Sequence, residues 1–265
     1  MRNKLIYIGG SIKSGTTLFS AVLGNNDSTI NFGEYVNINK KIRENDFVFF
    51  DNQLVEIENV ELWKKFRKDI SNNFKNEDNI FYHYKFLSNN FNGKVIVDSS
   101  KSQLNWTLNR FNEIEKHDIF ESYFIHLIRK PEAVVYSQTF KKYNNVSILI
   151  LLKEYLKWCL TNILTKLKYG RKKNYLKIRY EEFCSDPIQS IDIITELTGI
   201  DFSSVIDKVK YEEPFYFGCS LDGNPFSMRE KKISKITLNE SYKKERNIKF
   251  RLVNLFFKPI SHFIY

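Results

Sequence analysis

Lys13-Ser14-Gly15-Thr16-Thr17 is the stretch whose residue types first suggest chemistry. The apolar run Leu5-Ile6-Tyr7-Ile8 leads into it through two glycines, and Leu18, Phe19, Val22 and Leu23 recur after it at helical spacing. Strand, small-residue turn and helix in that order aim several backbone N–H groups and the positive end of a helix dipole at one point, which suits a phosphate. Arg129 and Ser137 form a second candidate pair. Arg129 follows the apolar run 122–128, Pro131 suits the first position of a helix, and Ser137 comes round about two turns later. A planar guanidinium and a hydroxyl flanking one pocket can satisfy a phosphate monoester.

Two acidic residues stand at strand ends, where open α/β sheets bind ligands. Glu34 follows a short strand over 28–32 and is a candidate general base, with a solvated loop glutamate as the bland alternative. Asp98 ends the buried run 94–98. It reads as a magnesium-binding strand end of the kind found in nucleotide hydrolases, or as the cap of a helix over 102–112. Lys101 beside it is a candidate to neutralise an anion.

Spacing separates two kinds of phosphate loop. A nucleoside-triphosphatase loop carries its lysine directly after the second glycine. Here Thr16 stands in that place, and the lysine is Lys13, two residues before Gly15. The segment Lys13–Thr17 resembles instead the 5′-phosphosulfate loop of sulfotransferases that use 3′-phosphoadenosine 5′-phosphosulfate (PAPS). Four further segments resemble that family in its own order: Val97-Asp98-Ser99-Ser100-Lys101; Arg129-Lys130-Pro131 followed by Ser137, with Lys130 in place of the usual Asp; Ile178-Arg179-Tyr180-Glu181-Glu182-Phe183 followed by Pro187; and Gly223-Asn224-Pro225. The chain looks most like the bacterial and carbohydrate-type branch.

The resemblance implies a P-loop-like, three-layer α/β fold with a central, mostly parallel sheet between helices. It implies PAPS as sulfuryl donor, no metal, and in-line transfer to a hydroxyl or amine, a carbohydrate being the acceptor the branch suggests. By the same resemblance Lys13, Ser14, Gly15, Thr16 and Thr17 hold the 5′ end of the donor, Arg129 and Ser137 its 3′-phosphate, and Tyr180 lies near the adenine. Gly223, Asn224 and Arg229 belong to a loop that folds over the nucleotide. Arg229 sits two residues beyond the family's position, so Lys231 or Lys232 are alternatives for its place. Lys13 would stabilise the leaving group and Glu34 would take the acceptor's proton, a task for which burial must raise its pKa.

The elements that must position these residues are legible as strands alternating with helices, hence a mostly parallel sheet. Helices are expected near 60–74 and 80–91, with Trp63, Phe66 and Ile70 on one buried face, so 36–93 reads as an α-helical insertion shaping the acceptor site. A long helix over 146–169 carries Leu149, Leu152, Leu156, Leu160, Ile163 and Leu167 as an apolar stripe expected to pack. Residues 236–242 and the apolar end 256–265 look like the family's closing helices, docked on the core. His126 is expected to be a satisfied core histidine.

Composition bounds the rest. The 265 residues are 42% hydrophobic with 23 Phe and 15 Tyr, enough for one domain with an ample core. Three scattered cysteines suit a reducing compartment, and with no leader pattern or long apolar run the reading is cytoplasmic, without stable membrane insertion. A net charge of +10 attracts polyanions. Two rival readings follow: a P-loop kinase or triphosphatase using ATP and Mg²⁺, supported by Asp98, and a non-catalytic basic module binding glycan or nucleic acid. The second leaves the ordered motifs unexplained, and nucleic acid is not an expected partner.

Overall fold

The computed structural model describes residues 2–73, 79–102, 108–143, 145–223 and 230–265, without the side chains of 70–73. Its centre is a five-stranded sheet in the order β2-β5-β1-β6-β7, built from β1 (Asn3–Gly9), β2 (Thr29–Gly33), β5 (Val95–Asp98), β6 (Phe120–Ile128) and β7 (Tyr175–Arg179). Every pairing in it is parallel. Parallel strands covered on both faces need apolar residues at successive positions, which is why Leu5, Ile6, Tyr7 and Ile8 are all fully buried.

The two-residue period of the strands divides these side chains between two cores. Leu5, Tyr7, Ile96 and Phe124 face one layer, which includes α3 (Glu61–Asn73), α4 (Ile80–Asn90) and α5 (Arg110–Lys116). Ile6, Ile8, Val97, Ile125 and Leu127 face the other, formed by α1 (Thr16–Leu23), α8 (Tyr180–Ser185), α9 (Pro187–Thr198) and α10 (Ser203–Lys210). A third cluster joins α6 (Pro131–Thr139), α7 (Ile148–Tyr169) and α11 (Ile248–Ile264). The chain order reverses at β1, since β2 lies beyond β5 on one side and β6 pairs on the other. The C-terminal end of β1 is therefore the crevice of the sheet.

Several expectations differ from the structure, and one lies partly outside the described residues. The segment 36–93 holds, besides α2 (Ile38–Glu44), α3 and α4, an antiparallel hairpin of β3 (Phe47–Phe50) and β4 (Gln53–Glu56), whose Phe49 N–H donates to the Ser220 carbonyl at 2.9 Å. Residues 234–240 are irregular and lead into a 3₁₀ turn, Ser241–Lys244, rather than a longer helix. Part of the expected helix 102–112, residues 103–107, lies outside the described residues. The leucine stripe of α7 packs only in part: Leu152 and Ile163 lie against the third core cluster, while Leu149 is 74% exposed and Leu167 73% exposed. This helix is apolar on two faces, and the core takes the face bearing Leu151, Tyr155, Trp158 and Tyr169. At the chain end Phe257 is buried, but Phe256 and Ile260 are exposed. His126 is a core residue as expected, its ring nitrogens 2.9 Å from the Tyr175 hydroxyl and from Asn162 Oδ1, and burial pushes its pKa down to about 4.

Among the described residues Asp98 caps no helix. It is fully buried, accepts from the Ser100 backbone N–H at 2.7 Å and from the hydroxyls of Ser100 and Tyr84, and has Arg110 as a nearby cation. Burial raises its pKa, against the opposing pull of Arg110 and these donors. We expect Asp98→Ala, which strips these donors of their acceptor, to lower the unfolding free energy by about 3 kcal/mol in chemical denaturation. An unchanged midpoint would show that the carboxylate does not hold this turn.

Candidate functional site

The turn after β1 is shaped by backbone conformation. Lys13 (φ 67°) and Gly15 (φ 96°) are both left-handed. Gly15 must be glycine for a second reason: a Cβ there would lie 2.3 Å from the Tyr180 ring. Gly15 is also the N-cap of α1 and provides no side-chain cap, and Thr16 and Thr17, in the first turn of that helix, line the crevice. The Ser14 hydroxyl is buried without a partner among the described residues.

The turn at 98–102 fastens this loop to its neighbours. Lys101 N–H donates to the Ile8 carbonyl (3.3 Å), Ser102 N–H to the Gly10 carbonyl (3.1 Å) and Ser99 N–H to the Gly33 carbonyl (2.7 Å). Ser100 Oγ accepts from Val36 N–H at 2.9 Å, and the Tyr7 hydroxyl donates to the Lys101 carbonyl at 2.7 Å. Lys101, left-handed at φ 69°, thereby turns its ammonium onto the Glu34 carboxylate. Both side chains of this ion pair are mostly buried, at 10% and 13% exposure. Glu34 is thus not a solvated loop residue. Lys13 lies near this pair, and burial followed by repulsion from Lys101 lowers its pKa below the ordinary lysine value.

Arg129 closes the opposite side. Its Nη1 donates to the Lys13 carbonyl at 3.1 Å, its Nη2 donates to the Asn239 carbonyl at 3.0 Å, and its guanidinium carbon lies 4.4 Å from the Tyr180 ring centroid. Its Nε is buried with no partner among the described residues. Tyr180 is 5% exposed and supports both Gly15 and Arg129; burial raises its phenol pKa.

Lys13, Gly15, Thr16, Thr17, Glu34, Lys101, Arg129, Ser137, Tyr180 and Gly223 all line one cleft of about 450 Å³. Ser14 is buried in the turn beneath it. Asn224 and Arg229 lie outside the described residues; of the alternatives to Arg229, Lys232 lines the cleft. Sequence reasoning did not single out Lys141, Lys235, Thr237, Asn239 or Tyr242, which line it too. Lys141 follows α6 closely enough after Ser137 to have been found. The others arrive on the returning C-terminal chain, which no local pattern reveals.

Chemically, the cleft offers a helix N-terminus, a guanidinium and several ammonium groups to an extended polyanion, beside one buried carboxylate. Asp98, the residue that favoured a magnesium nucleotide, belongs instead to the hydrogen-bond network beneath the 98–102 turn. Among the described residues no group of three or more His, Cys, Asp or Glu side chains is arranged to hold a metal ion.

Comparisons with known proteins agree with this fold. The sulfotransferase domain of the Synechococcus PCC 7002 olefin synthase superimposes with a TM-score of 0.62 at 19% identity, over 97% of this chain and 95% of that one. The sulfotransferase domain of the curacin biosynthetic pathway gives 0.60 at 15% identity, over 97% and 98%. Mouse sulfotransferase SULT7A1, solved in complex with PAP, gives 0.52 at 13% identity, over 97% and 82%. At these identities the likeness speaks for the fold. A search of curated protein sequences found no match. A sequence model of the sulfotransferase family matches residues 6–204, three-quarters of the chain, and with that match the chain belongs to the sulfotransferase family.

Proposed function

We propose that this protein transfers a sulfuryl group from PAPS to an acceptor hydroxyl or amine. The observation that carries the reading is that the Lys13–Thr17 turn and Arg129 border one cleft and touch each other, so that one doubly phosphorylated adenosine can reach both. The Ser14 hydroxyl and Arg129 Nε, buried and without a partner among the described residues, fit such a ligand, because each is a donor in need of an acceptor. The PAP complex of the mouse relative supports the same donor.

PAPS supplies the sulfuryl group and the leaving nucleotide. Lys13 and the amides of Gly15, Thr16 and Thr17 stabilise charge at the 5′ end, the task of an oxyanion site. Arg129 and Ser137 hold the 3′-phosphate, with Tyr180 bracing the guanidinium beside the adenine; Gly223 and Lys232 border the same cleft. Glu34, oriented by Lys101, accepts the acceptor's proton. The work of the chain is positioning and charge stabilisation, as in phosphoryl transfer. The cleft that holds Glu34 and Lys101 is also lined by Ser234, Thr237 and Asn239, polar groups that suit a hydroxyl-rich glycan acceptor better than an apolar one.

A thermal-shift comparison tests the donor. Adenosine 3′,5′-bisphosphate is expected to raise the melting temperature and ATP with Mg²⁺ to do so much less, and Arg129→Ala should abolish most of the difference. Stabilisation by ATP with Mg²⁺ alone would overturn the reading. Transfer from labelled PAPS, screened over glycans, phenols and lipids, then tests the acceptor.

Lys13→Ala should lower kcat by about a hundredfold or more. Because the Lys13 pKa is lowered, its ammonium is lost earlier as pH rises, so kcat/KM for PAPS should decline on the alkaline side below the ordinary lysine range. Lys13→Arg should move that decline upward, and a profile identical in both proteins would remove Lys13 from this role. Glu34→Gln should cut kcat by about a hundredfold to ten-thousandfold while adenosine 3′,5′-bisphosphate binding changes little; near-normal turnover would exclude Glu34 as the base.

A further inference from the structure

The C-terminal helix α11 lies along α7, with the Tyr155 and Phe257 rings stacked at 4.8 Å and the Lys166 ammonium 5.8 Å from the Phe263 ring centroid. These contacts follow the same order along both helices, which therefore run side by side in the same direction. Their inner faces fill the third core cluster. Their outer faces are apolar as well. On α7, Leu156, Leu160 and Leu167 are 52%, 49% and 73% exposed; on α11, Leu252, Phe256 and Phe263 are 56%, 70% and 82% exposed. A soluble surface rarely presents so many large apolar side chains together unless something covers them.

The charge beside this face selects the covering. The two helices carry seven Lys or Arg residues and one acid, Glu154. Lys153 and Lys166 on α7, and Lys249, Arg251 and Lys258 on α11, are exposed. A second copy of the same face would bring cations against cations. An anionic lipid surface matches both properties, accepting leucine and phenylalanine at the acyl boundary and lysine and arginine among its headgroups. Among the described residues no helix is long and apolar enough to cross a membrane, so the pair would lie along the surface.

We propose that the outer face of α7 and α11 docks the protein peripherally on an anionic bilayer. The test is co-sedimentation of the full chain with vesicles of equal parts phosphatidylglycerol and phosphatidylcholine, and with vesicles of phosphatidylcholine alone. The protein should sediment with the mixed vesicles and not with the neutral ones, and added salt should release it. Replacing Phe256 and Phe263 together by Asp should weaken mixed-vesicle binding by about tenfold or more, since both rings leave the interface. Both are exposed, so the thermal transition of that variant should match the parent. Binding unchanged by the double substitution, or absent from mixed vesicles, would overturn the proposal. So would sedimentation equilibrium showing a dimer that the same substitutions dissociate, since the face would then be an interface between copies.

Discussion

The buried carboxylate of Asp98 is the constraint on which the arrangement of the cleft depends. It holds the 98–102 turn through Ser100 while Tyr84 and Arg110 enclose it from the helical layer. From that turn, backbone donors reach the ends of β1 and β2, and the same backbone puts Lys101 in a left-handed conformation. Three strand ends are thereby locked together. The Lys13 loop, Glu34 and Lys101 owe their proximity to this fastening, since none of them contacts another through sequence neighbourhood. A buried charge is costly without donors, so the network holds together only when all its members are present.

Arg129 is the corresponding fastening on the far side. It spends two nitrogens on the carbonyls of Lys13 and Asn239 and rests on Tyr180, which in turn fills the space that a side chain at Gly15 would need. The guanidinium therefore couples the Lys13–Thr17 turn to the C-terminal segment that lines the cleft. An arginine suits this better than a lysine, because its planar fork can serve two acceptors and a ring face at once and still have a donor left over.

The outer surface follows a different logic. α7 is apolar on two faces, and only one of them can meet the sheet layer. α11 covers part of the rest, using Phe250, Val253 and Phe257. Covering one apolar helix with another that is itself two-faced moves the exposed apolar area outward without removing it, and the lysines and arginines at its margin give that area a chemical preference.

Local pattern was enough to determine the strand-turn-helix around Gly15, the proline-started helix after Arg129, the buried runs 5–8 and 94–98, and the parallel α/β class, because each follows from short-range periodicity and turn chemistry. The motif order was likewise readable, and with it the family. Contacts between distant segments decided what remained. Asp98 reads equally as a metal ligand or a cap until Tyr84 and Arg110 are seen around it; Glu34 reads as a loop residue until Lys101 is turned onto it; Asn239 and Tyr242 reach the cleft only because the chain returns. The α7 stripe reads as core for the same reason: periodicity reports that a helix has an apolar face, whereas the shape and volume of the neighbouring layers select which of two such faces is buried.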